Sequence, residues 1–101
     1  MWLFAMFDLP VDTTEGRKNY TKFRKTLIAN GFFMLQFSIY ARYFPSEEAS
    51  VSYRKRIRAM IPSKGQVRLL LVTDRQFGKM EVFQGKTKKK VENAPEQLMF
   101  F

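Results

Sequence analysis

The chain alternates between apolar runs and charged stretches, and the spacing inside each run predicts its backbone state. Met1 to Phe7 is apolar at every position, as expected of a central strand covered on both faces. Pro10 brings no N–H to a ladder, so the strand ends near Leu9. From about Thr13 to Asn30 the period becomes helical. Tyr20, Phe23 and Leu27 fall on one side, with Ile28 at its border, and Arg17, Lys18, Lys22, Arg24 and Lys25 form an arc on the other. Asp12 reads as the N-cap with Glu15 as its capping partner, and Asn30-Gly31 as the stop.

Phe32 to Phe44 is rich in aromatic and β-branched residues. It reads as two short strands broken near Gln36 to Ser38, or as one bent or bulged strand, because the break holds neither Gly nor Pro. After Pro45, Ser46 with Glu47 and Glu48 starts a second helix in good dipole order. Ala49, Tyr53, Ile57 and Met60 are its buried stripe, and Arg54, Lys55, Arg56 and Arg58 spread around the rest. Pro62 to Gly65 is a turn, Val67 to Asp74 a well-covered strand, and Met80 to Phe83 a short final one. The order predicts an α+β, ferredoxin-like βαββαβ fold with an extra C-terminal strand, over residues 1–85. Residues 86–101 are a basic and then apolar tail.

Charge changes what this fold is for. Eighteen Lys and Arg against nine Asp and Glu leave a net charge of +9, which points to a polyanionic partner. With no Cys and no His, the chain itself supplies no disulfide, usual zinc site, thiol nucleophile or imidazole base. The apolar start is too short for a signal peptide and no stretch approaches a membrane span, so a cytoplasmic protein without a membrane partner is expected.

Asp8, closing the first strand, has two readings. It is a strand-ending carboxylate bonded to a nearby N–H, or it is a ligand for Mg²⁺ or Mn²⁺, hard cations that take carboxylate and water. A lone carboxylate holds such an ion weakly, and a two-fold dimer would bring a second Asp8. The helix arc is either a solvated face or a contact for backbone phosphates of double-stranded DNA, which Arg54 and Arg58 would extend. Ser38 reads as a turn hydroxyl, and Phe23, Phe32, Phe33, Phe37 and Tyr40 as core rather than base-stacking platforms. Leu98, Met99, Phe100 and Phe101 end the chain, and are expected to fold back or to dock on a partner.

Several stretches, in this order, resemble one family. FDLP, the Arg-rich helix with KFRKTLIANGF, MLQFSIYAR and GQVRLLLVTDRQFGKMEVFQG are similar to the second core CRISPR-associated adaptation protein. That protein is the small partner of the integrase that stores new spacers. MLQFS and VTDRQF resemble its type II branch. The resemblance implies a ferredoxin-like homodimer in which the last strand of each chain adds to the partner's sheet. It implies an integrase partner and a role as a sequence-indifferent DNA-binding scaffold in spacer acquisition. It also implies the alternative of a metal-dependent endonuclease or endoribonuclease, acting on DNA or RNA, with Asp8 as catalytic metal ligand. A third reading is an RNA-binding or toxin-like ribonuclease module of the same fold acting alone.

Overall fold

The computed structural model describes residues 1–95. The chain runs through β1 (Trp2–Asp8), α1 (Thr14–Ala29), β2 (Phe33–Gln36), β3 (Ile39–Tyr43), α2 (Glu47–Ala59), β4 (Gln66–Val72), a short helix α3 (Asp74–Gly78), β5 (Val82–Gln84) and β6 (Thr87–Lys89). Four strands form an antiparallel sheet in the order β2-β3-β1-β4, and β5 and β6 make a separate hairpin. Strand β3 lies between β1 and β2, which is the split βαβ of a ferredoxin-like α+β fold.

Strand β1 is central because both its faces are apolar, and its alternation divides the core in two. Leu3, Ala5 and Phe7 pack with Phe23 and Leu27 of α1, Tyr40 of β3 and Ile57 of α2. Trp2 points the other way, into a cluster with Ala41 and Phe77 of α3. Its indole stacks on the Phe77 ring at 3.9 Å and 9°. Burying such side chains contributes roughly 1.5–3 kcal/mol each, so the short α3 is held by its aromatic rather than by its length.

Local signals end the helices. At α1 the N–H of Phe32 donates to Leu27 O and that of Gly31 to Ile28 O, both at 3.0 Å, with Gly31 at φ 83. That is a Schellman ending, and it confirms Asn30-Gly31 as the stop. At α2, Ser46 Oγ accepts from the Ala49 N–H, Glu47 and Glu48 sit in the first turn, and Arg56 and Arg58 in the last. Ser50, which no sequence pattern singles out, is fully buried, and its hydroxyl donates to Glu47 O at 2.7 Å.

The structure corrects several expectations. The N-cap of α1 is Thr13, not Asp12. Its extended backbone lets Oγ1 accept from the Gly16 N–H at 2.9 Å, and glycine at that position cannot return the bond. By contrast, residues 33–43 are the two short strands expected, broken at Phe37 and Ser38 (φ 64), with a bulge between Met34 and Gln36. Strand β4 stops at Val72 and is an edge strand with Leu70 48% exposed, so it is covered on one face only. Thr73 and Gln76 instead form a capping box for α3. The short final strand is shifted to Val82–Gln84, and part of the lysine run, Thr87–Lys89, pairs with it.

Candidate nucleic-acid interface

Asp8 is exposed at the end of β1, opposite Gln66 of β4. It lines a cleft of about 320 Å³ with Phe37, Ser38, Ile39, Gln66 and Arg68. Two turns shape that cleft. The β2–β3 turn is pinned by the Phe7 N–H donating to Ser38 O at 3.1 Å. On the other side Gly65, at φ +92, passes so close that a Cβ there would lie 2.6 Å from Asp8 O. Ser38 is thus the turn residue expected, and its main-chain carbonyl does the holding.

The residues around Asp8 do not make a closed metal site within one chain. Ser38 and Gln66 are neutral, Arg68 is the charged neighbour, and among the described residues no three acidic side chains cluster. One exposed carboxylate beside a guanidinium holds a hard cation weakly.

The basic arc is an assembled surface. Thr14, Arg17, Lys18, Thr21, Lys22, Lys25, Thr26 and Ala29 line one open groove along α1. Arg17 is folded back, donating through Nη1 to Val11 O at 3.1 Å and through Nη2 to Thr14 Oγ1 at 3.3 Å. Among the described residues the ion pairs join only the Met1 amino group to Asp74 and Lys88 to Glu81, so none of the groove's cations is neutralised by a carboxylate. Arg24 does not join the groove. It stands at the border with the buried stripe, half-buried, about 40° around the helix from Tyr20.

Arg54 and Arg58 of α2 are not brought to this groove. Arg54 is half-buried, with its Nε buried and without a hydrogen-bond partner among the described residues, and Arg58 is exposed in the last turn. Of the aromatics, Phe23, Phe32 and Tyr40 are core, as expected. Phe33 and Phe37 are not, at 40% and 81% exposed: Phe33 lies on the Trp2 face of the sheet, its ring 6.1 Å from the indole, and Phe37 sits in the β2–β3 turn with only Tyr20 of α1 stacked near it, at 6.2 Å. Leu98, Met99, Phe100 and Phe101 lie outside the described residues.

The sequence pattern did not mark Arg42, Tyr53 and Arg56 as a group. The Arg42 guanidinium lies 4.1 Å from the Tyr53 ring centroid and that of Arg56 lies 4.9 Å from it. Hydrogen bonding and attraction from Arg42, then Arg56, hold the Tyr53 phenol below its usual pKa. An arginine inside an otherwise apolar strand was the available signal. Tyr43 is shifted the other way, by burial first and then by the Asp74 carboxylate.

Fold and surface together define a small, strongly basic α+β protein of ferredoxin-like architecture. The family model described as CRISPR associated protein Cas2 matches residues 1–80. The "CRISPR-associated endoribonuclease Cas2" of Parvibaculum lavamentivorans is 46% identical over 101 residues, all of both chains. Proteins of the same name from Flavobacterium psychrophilum and Ligilactobacillus salivarius are 42% and 44% identical, over 100% and 96% of this chain and 88% and 96% of their own. The chain belongs to the Cas2 family of CRISPR-associated proteins. Among the described residues no helix is long and apolar enough to cross a membrane.

Proposed function

We propose that the protein is a homodimeric scaffold that holds double-stranded DNA by its backbone phosphates beside the CRISPR integrase during spacer acquisition. The observation that carries this reading is the groove along α1, where Arg17, Lys18, Lys22 and Lys25 share one face and, among the described residues, no carboxylate pairs with them. Lysines and a folded-back arginine on an open helix face suit phosphates rather than base edges, which fits a protein that accepts any spacer. The homodimer is supported by the second face of the sheet. Leu70 on that face is 48% exposed, Phe83 of the β5–β6 hairpin is 56% exposed, and among the described residues no strand pairs with the outer edge of β4. The decisive experiment is spacer acquisition in cells carrying the integrase and an Arg17→Glu/Lys25→Glu variant. Acquisition at the wild-type level by a folded variant would sink the scaffold reading.

The relatives' name, endoribonuclease, favours a second reading in which Asp8 of each protomer shares Mg²⁺ or Mn²⁺ at a nuclease site for RNA or DNA. It requires the two Asp8 carboxylates to meet across a two-fold axis, since among the described residues one chain brings a single carboxylate to the cleft beside Arg68. A purified dimer that cleaves nothing with either metal excludes it.

A further inference from the structure

Where the basic groove of α1 ends, a separate pocket begins. Ala29 lines both, and beyond it Asn30, Gly31, Arg42, Tyr53 and Arg56 line an open hollow of about 400 Å³ between the end of α1, β3 and α2. The two guanidiniums converge there on one phenol ring. A single residue fixes both. Arg42 Nη1 donates to the Asn30 carbonyl at 2.7 Å, and Arg56 Nη1 to the Asn30 side-chain Oδ1 at 3.3 Å. Asn30 Nδ2 in turn donates to Thr26 O at 2.8 Å, which orients the amide. Gly31 clears the approach, since a Cβ on it would lie 3.3 Å from Arg42 Nε.

Two cations thus face one ring, and among the described residues no carboxylate pairs with either. Each guanidinium gives Asn30 one of its five N–H donors, leaving a planar fork of the kind that matches phosphate. We propose that this pocket binds a phosphate group between Arg42 and Arg56, with the Tyr53 hydroxyl as a further donor. Its natural source is a backbone phosphate of the strand lying along α1, and this assignment of the source rests on the DNA-binding reading above. From Arg17 to Ala29 the helix rises about 18 Å at 1.5 Å per residue, or roughly five nucleotide steps of 3.4 Å. A strand entering at Arg17 therefore reaches the pocket at the far end of the groove.

The test titrates the full chain with inorganic phosphate, against chloride at equal ionic strength, and follows the Nε–H signals of Arg42 and Arg56 by NMR. Saturable shifts with phosphate and not with chloride are expected. Arg56→Gln should weaken them about tenfold, as removal of one charged hydrogen-bonding partner would, without lowering the thermal midpoint. In a second arm, duplex DNA is bound over a range of salt, and Arg56→Gln should reduce the logarithmic salt slope by about 0.9. A folded wild-type protein with no saturable phosphate response overturns the pocket, whatever the duplex does. A phosphate response with an unchanged salt slope supports the pocket with free phosphate as its source and overturns the strand contact. If charge reversal on α1 leaves duplex affinity untouched while the phosphate response persists, the DNA-binding reading fails and the pocket stands.

Discussion

The main-chain N–H of Phe7 donates to the carbonyl of Ser38 at 3.1 Å, tying the β2–β3 turn to the end of β1 one residue before Asp8. The carbonyl is presented because Ser38 takes φ 64, a left-handed conformation that costs a side chain energy. Ser38→Gly should therefore hold or raise stability, and Ser38→Val should lower it by about 1–2 kcal/mol. Gly65→Ala on the opposite wall should cost more, because φ +92 is unfavourable and its Cβ would meet Asp8 O. Denaturant unfolding of the three variants checks the order.

Duplex binding should be electrostatic and indifferent to sequence. Reversing Arg17 and Lys25 to Glu should weaken all duplexes alike, and each phosphate that is no longer neutralised should lower the salt slope by about 0.9. Arg24→Gln should do much less, since its side chain stands outside the groove. Affinity that stays constant from low to moderate salt in a fluorescence-anisotropy titration would refute phosphate binding by the helix.

Asp8→Ala should leave the fold intact, because the side chain is exposed and no hydrogen bond depends on it among the described residues. Spacer integration by the folded dimer should continue, while any cleavage that requires Mg²⁺ or Mn²⁺ should stop. Integration assays and nuclease assays on one preparation separate the two readings.

The open face of the sheet should be the dimer contact. Leu70→Glu or Phe83→Glu places a charge on exposed apolar surface that a partner would bury, and should shift sedimentation from dimer toward monomer. Thermal unfolding of the monomer should stay cooperative, since neither residue belongs to the buried clusters. A dimer unaffected by both substitutions would move the interface elsewhere.

The two shifted tyrosines make opposite contributions to stability at alkaline pH. Tyr53 has its folded pKa lowered, so its contribution grows as pH rises through that value and is full above the unfolded value of 10.0. Tyr43 has its folded pKa raised, so its contribution is full below 10.0 and is lost as pH climbs through the folded value. The difference in unfolding free energy between wild type and Tyr53→Phe should therefore widen with pH as 10.0 is approached. For Tyr43→Phe it should narrow above 10.0.

The pattern of apolar positions was enough to determine the order of the main elements, the centrality of β1 and the stop of α1, because these depend on residues near one another in the chain. Asn30-Gly31 carries its own conformation, and the seven apolar residues that open the chain admit few partners other than two flanking strands. The capping box of α3 was also written in Thr73 and Gln76, but the apolar run before it concealed the change of period. What lies between elements was decided by the tertiary structure alone. Register set Asp8 opposite Gln66 and beside Arg68, and helix packing left Leu70 bare while burying Ser50. Asn30, Arg42, Tyr53 and Arg56 come from α1's end, β3 and α2, and no local spacing predicts their meeting. Contacts between residues distant in the chain follow from how sheet and helices close around the core, and only the closed fold fixes those distances.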